Sequence, residues 1–160
     1  VTEVEFTTAS LDAPESLELI AAVQQEYVVR YGGPDVTELS VAEFAPPQGI
    51  FVIGRDAGQP VACGGVRLVE AHVGELKRMY VVPVARRRGI ARALLAHLEH
   101  EAHKLGVTRL RLETGRNQPE AIALYASAGY SDTEPFGHYA GAPLSSHLAK
   151  NLDGPEVPQS

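Results

Sequence analysis

Cysteine is nearly absent from this 160-residue chain, and the single Cys63 excludes an internal disulfide framework and any multi-cysteine zinc site. A reducing, cytoplasmic setting is the expectation that accompanies such sparing use. Long apolar runs are missing too. None reaches the roughly 18 residues that a spanning helix requires, so neither a helical membrane span nor a membrane partner is expected. The opening Val1-Thr2-Glu3-Val4-Glu5 is acidic and lacks the basic-then-apolar order of a signal peptide, so no export signal is expected there. Positive charge is in deficit as well. Fourteen Lys and Arg against twenty Asp and Glu give a net charge of −6, which argues against a nucleic-acid partner. What remains is ordinary: 44% hydrophobic and 21% charged residues, enough for one well-buried core. A single domain over residues 1–152 is expected, with 153–160 as a flexible tail carrying two prolines and a glycine.

The charge is unevenly distributed. Residues 76–98 hold Lys77, Arg78, Arg86, Arg87, Arg88 and Arg92 with no Asp or Glu, a local +6 that leaves −12 for the rest of the −6 chain. A basic island in an acidic chain points to a discrete anionic ligand.

Periodicity divides the chain. Val4–Thr7 reads as a strand. Leu17, Ile20, Ala21, Gln24, Tyr27 and Val28 then fall at helical spacing after Pro14, and Gly32-Gly33-Pro34 stops that helix. Residues 35–48 read as a loop with at most a short helix near Val41–Phe44. Gly49–Gly54 and Val61–Val69 form a hairpin around the turn residues 56–60, and Gly64-Gly65 suggests a bulge. A third strand covers Glu75–Val82 and ends at Pro83. Ile90, Leu94, Leu98, Ala102 and Leu105 share one face of a strong amphipathic helix that Gly106 ends. Val107–Thr114 reads as a strand. Asn117 and Glu120 resemble a capping pair for a helix that starts at Pro119 and ends near Ala128. Tyr130–Thr133 and Ser146–Leu152 are expected as closing strands. This order predicts an α+β domain with a mixed, mostly antiparallel sheet, locally parallel where the long helix links two strands.

The turn Arg86-Arg87-Arg88-Gly89-Ile90-Ala91 lies between a strand and a helix start. Such a start presents unpaired amides and a partial positive charge, both suited to phosphate. Gly89 lets a ligand approach the backbone, and the flanking arginines supply donors. Other phosphate and nucleophile signatures are missing: no Walker loop, no three-glycine dinucleotide fingerprint, no Gly-x-Ser-x-Gly elbow.

Two motifs carry a resemblance. Arg86, Gly89 and Ala91 match Gln/Arg-x-x-Gly-x-Gly/Ala. Asn117 followed by Leu124-Tyr125-Ala126-Ser127-Ala128-Gly129-Tyr130 matches a second element, an asparagine and a helix ending in Leu-Tyr-x-x-x-Gly-Phe/Tyr. Together, over roughly residues 49–134, they resemble the GNAT superfamily of acetyl-CoA-dependent N-acetyltransferases. The resemblance implies a sheet of about six to seven strands flanked by about four helices, with one parallel pair splayed apart. It implies that backbone amides over Arg87, Arg88, Gly89, Ile90, Ala91 and Arg92 cradle the coenzyme A diphosphate beside Arg86. It also implies that the pantetheine arm pairs with Met79, Tyr80 and Val81. Asn117 and Tyr125 would face the cofactor, with Tyr125 protonating the leaving thiolate. Glu75, six residues before Val81, has the spacing of the base in the histone-modifying branch; His138 or a water chain are the alternatives. His138 and Tyr139 sit in a loop that resembles the border of the acceptor pocket.

The activity implied is acetyl transfer to a primary amine of a small molecule by direct attack in a ternary complex. Cys63, in an apolar strand, has no mark of an activated nucleophile. A protein lysine or N-terminus as acceptor, and a non-catalytic acyl-CoA-binding module, stay open, as does a homodimer. No metal is expected, since His97, His100 and His103 fall on the polar face of their helix.

Overall fold

The computed structural model describes residues 3–152. The chain runs β1 (Val4–Thr8), α1 (Pro14–Tyr31), β2 (Gly49–Asp56), β3 (Gln59–Glu70), β4 (Val73–Val81), α2 (Ile90–Lys104), β5 (Arg109–Gly115), α3 (Pro119–Ser127), β6 (Ser131–Asp132) and β7 (Ser145–Asn151). The sheet order is β1-β2-β3-β4-β5-β7-β6, with β4 and β5 parallel and every other neighbouring pair antiparallel. This is the expected mixed α+β sheet. Among the described residues its helices are three α-helices, rather than the four or so expected, plus single 3-10 turns at Ala42–Phe44 and Pro83–Ala85. The tail expected at 153–160 lies outside the described residues. No helix among the described residues is long and apolar enough to cross a membrane.

Each face of the sheet carries its own core. On one face α2 buries Ile90, Leu94, Leu95, Leu98 and Ala102 against Val66, Leu76, Leu110 and Leu112. Deleting one such leucine side chain to alanine costs about 2–5 kcal/mol. On the other, α1 packs Leu19 and Val23 with Phe44, Phe51, Ile53 and Tyr80. Gly64 and Gly65 fall at a register break, where two residues of β3 oppose three of β4. A side chain at Gly65 would meet Phe44 at 2.7 Å and Phe51 at 2.9 Å.

Two local expectations are corrected. The buried stripe of α1 is Ser16, Leu19 and Val23, whereas Leu17 is 52% exposed and Val28 faces solvent. Ser16 lies inside because its hydroxyl donates to Ser10 O at 2.7 Å, a satisfied polar contact that hydrophobic periodicity does not register. Asn117 and Glu120 do not cap α3, whose N-cap is Gln118 without a side-chain bond. Both turn to the end of α1 instead. Asn117 Nδ2 donates to Arg30 O at 3.2 Å, and Glu120 pairs with Arg30 at 2.9 Å.

Candidate active site

Pairing between β4 and β5 is confined to Val73–Arg109, Gly74–Leu110 and Glu75–Arg111. Beyond Glu75 the strands part: β4 continues beside β3 and β5 beside β7. The gap holds a cavity of about 370 Å³. It joins the two faces of the sheet. Leu76, Met79, Leu112, Ala121 and Tyr125 line it from the α2 core. Tyr27, Tyr31, Asp35, Lys77, Arg78, Glu113 and Tyr139 line it from the α1 side.

A bulge sets the charge of that second half. Arg78 adopts φ 58°, and the register break gives β4 one residue more than β3 there. Lys77 and Arg78 therefore both turn to the α1 face rather than alternating. Lys77 Nζ donates to Asp35 Oδ2 at 2.9 Å and Arg78 Nη1 to the same oxygen at 2.5 Å. Asp35 is itself clamped by Gln24, which accepts from Asp35 N at 2.8 Å and donates to Asp35 O at 3.0 Å. Burial pushes the Asp35 carboxyl up, but Lys77, Arg78 and the Thr37 amide outweigh it and hold it well below the usual carboxylate range. Glu113, one residue beyond Leu112, projects into the same half. Burial raises its carboxyl above the ordinary value, against smaller opposing effects of a Ser145 hydrogen bond and the Lys77 charge.

Tyr125 is 6% exposed and edge-on to Tyr130, with ring centroids 5.7 Å apart. Burial first, and the Glu113 charge second, push its phenol above the ordinary range, so it stays protonated at neutral pH. Met79 lines the gap, Tyr80 belongs to the α1 core, and Val81 O accepts from Arg86 Nε at 2.8 Å. Glu75 lies outside the cavity lining. Its carboxylate takes Arg67 Nε at 3.0 Å and Nη2 at 2.9 Å. The Asn117 side chain is spent on α1, and its neighbour Gln118 lines the cavity. His138 is exposed and packs edge-on to Tyr139, whose hydroxyl accepts from Val36 N at 3.0 Å.

At the start of α2, Arg87 stands at φ 64° and the N-cap Gly89 at φ 78°. No side chain caps this helix, and its first closing bond runs from Ala93 N to Gly89 O at 3.1 Å. The amides of Ile90, Ala91 and Arg92 are left without helical partners, a cradle whose geometry fits a diphosphate. The arginines around it are less free than their clustering suggests. Arg86 pairs with Glu26, Arg88 with Asp56 at 2.9 Å, and Arg92 with the Ser127 hydroxyl. Arg87 makes no ion pair among the described residues.

Cys63 is fully buried, donates to Arg78 O at 3.3 Å, and has its thiol pushed up to about 12 by burial. Among the described residues no three His, Cys, Asp or Glu side chains gather closely enough to hold a metal. His97 leaves the fully solvated face expected of it and stacks on Phe6 at 5.4 Å.

Sequence reasoning missed Asp35, Gln24, Glu113 and the shared direction of Lys77 and Arg78. Asp35 sits in an irregular loop with no motif. Glu113 carries one signal in hindsight, its alternation with the buried Leu110 and Leu112 on a strand that borders the gap.

Comparison with known proteins agrees with this geometry. The acetyltransferase (GNAT) family model matches residues 17–130. An IAA acetyltransferase of Azospirillum brasilense is 42% identical over 115 residues, 71% of this chain and 75% of that protein. A solved Klebsiella pneumoniae protein superposes with a TM-score of 0.79 at 35% identity, covering 94% of this chain and 98% of its own. A GNAT family acetyltransferase from Elizabethkingia anophelis, solved with acetyl-CoA bound, has a TM-score of 0.68 at 14% identity over 92% of this chain and 97% of that one, a likeness of fold alone. A family model spanning more than half the chain, met by the parted β4 and β5 strands and the uncapped turn into α2, makes this protein a member of the GNAT acetyltransferase family.

Proposed function

We propose that the protein is an acetyl-CoA-dependent N-acetyltransferase that acetylates a primary amine of a small molecule by direct attack in a ternary complex. The observation that carries this reading is the gap between β4 and β5, which joins an apolar half beneath α2 and α3 to a charged half beneath α1. A thioester arm entering from the first half and an amine entering from the second would meet in the gap without a covalent enzyme intermediate. The inert Cys63 thiol supports the same route.

Bound acetyl-CoA would supply the thioester carbonyl, its diphosphate held on the amides of Ile90, Ala91 and Arg92 and by Arg87. The backbone beside Met79 would polarise that carbonyl. Tyr125, protonated and facing the apolar half, is the proton donor to the departing thiolate. Removing a proton from the incoming ammonium requires a base inside the charged half. Glu113 has the better geometry for it, since it lines the cavity while Glu75 is held by Arg67.

A protein acceptor is the weaker reading. Loops 33–36 and 139–145 both border the charged half and are tied together by the Val36–Tyr139 bond, which suits a small ligand better than a peptide chain. The test is thiol release from acetyl-CoA over a panel of amino acids, polyamines, aminoglycosides and short peptides. Turnover with a free small amine supports the proposal. Coenzyme A binding without turnover of any acceptor favours a non-catalytic module, and turnover with peptides alone favours a protein acceptor.

A further inference from the structure

The charged half of the cavity holds Lys77 and Arg78 with two carboxylates, Asp35 and Glu113, and both cations converge on Asp35. Lys77 and Arg78 side chains are only 9% and 3% exposed, and both donate to the one oxygen Asp35 Oδ2. The other oxygen of Asp35 accepts the Thr37 amide at 2.9 Å, so this carboxylate is fully engaged. Arg78 Nη2 reaches Thr37 O only at 3.5 Å, and Arg78 Nε is buried with no hydrogen-bond partner among the described residues. The second acid of this half, Glu113, interacts with Ser145 and feels the Lys77 charge, but makes no ion pair with Lys77 or Arg78 among the described residues. The two cations thus share one acceptor oxygen and keep buried donor capacity that a further anion would satisfy. A purely cationic acceptor, such as a polyamine, would meet like charge at Lys77 and leave the buried donors without an acceptor.

We propose that Lys77, assisted by Arg78, takes a carboxylate carried by the acceptor itself, so that the substrates are amino carboxylic acids. This inference rests on the acetyltransferase reading and narrows it. The open donors of Lys77 and Arg78 match the two oxygens of a carboxylate. Lys77 lies on β4 and Glu113 on β5, on the same side of the sheet and facing one gap. A molecule bridging them would set its carboxylate on Lys77 and its amine toward Glu113 and the opening. Gln24 acts through Asp35: by clamping that residue's backbone it fixes the carboxylate that orients both cations.

The test uses matched trios with acetyl-CoA and the intact protein: each amino acid, its amide, and the amine left by removing its carboxyl. The better carboxylate acceptors should exceed their amides and decarboxylated partners in kcat/KM by about 30-fold or more, the loss that follows when a buried charge is left unpaired. Lys77→Gln should raise KM for the carboxylates and close that gap, and Lys77→Arg, which keeps the charge, should restore it. Thermal melting of both variants separates this effect from misfolding. Amides or simple amines that turn over as well as the carboxylates overturn this inference and leave the acetyltransferase reading standing. No thiol release from this series while a polyamine or aminoglycoside turns over overturns this inference alone, and thiol release with no amine of either set, with coenzyme A bound, overturns both.

Discussion

In the proposed reaction Tyr125 and Glu113 would answer two opposite demands of amine acylation, a proton for the thiolate and a place for the ammonium proton. Tyr125→Phe removes the first. It is expected to lower kcat by about 10²-fold or more with little change in coenzyme A affinity, read from thiol release and calorimetry. Unchanged turnover would take Tyr125 out of the chemistry. Glu113 makes a pH prediction. Burial raises its carboxyl, so the free base forms only above the ordinary carboxylate range and kcat/KM should rise through that higher pH. Glu113→Gln should remove this acid limb. If the limb persists there and disappears in Glu75→Gln, the base is Glu75. Asp35 shifts the other way. Its folded value lies below the unfolded one, so the ion pairs with Lys77 and Arg78 stabilise the fold fully above about pH 4 and progressively less as pH falls toward the folded value. Asp35→Asn should lower the melting temperature at pH 7, and the difference from wild type should shrink below about pH 4. A constant difference would contradict this account of Asp35. Tyr125 was legible in the sequence because a motif marks it. Asp35 and Glu113 were not, since their importance arises from a loop and a strand converging across the sheet.

At the scale of elements, the turn into α2 and the parting of β4 from β5 would position the cofactor. Gly89 is left-handed, a conformation that costs an ordinary L-residue about 1–2 kcal/mol. Gly89→Ala should therefore weaken coenzyme A binding by roughly tenfold, if relaxing that strain turns the amides out of their cradle. Equal affinity in calorimetry would dissociate the turn from the cofactor. Periodicity read α2 well, because its apolar stripe from Ile90 to Ala102 is the stripe that is buried. It misread α1, where the buried Ser16 and the exposed Leu17 break the rule. It also did not order the sheet. β7 lies between β5 and β6, an arrangement fixed by long-range pairing such as Leu112 with Leu148 and Asp132 with Leu148, which leaves no local trace.

For the whole molecule, the basic island from 76 to 98 proves to be two separate devices. Lys77 and Arg78 serve the cavity, while the Arg86–Arg92 turn lies at the start of α2. Acidic residues from distant elements, Glu26 on α1 and Asp56 on β2, neutralise part of that turn, which a local count of charge does not anticipate. In the proposed reaction an amide cradle, an apolar channel and a charged pocket align through the gap in the sheet. A crystal structure with acetyl-CoA tests that alignment most directly. The account predicts the diphosphate on the amides of Ile90, Ala91 and Arg92, and the thioester in the gap between Met79 and Tyr125. Coenzyme density elsewhere, or an arm that never enters the gap, would contradict it.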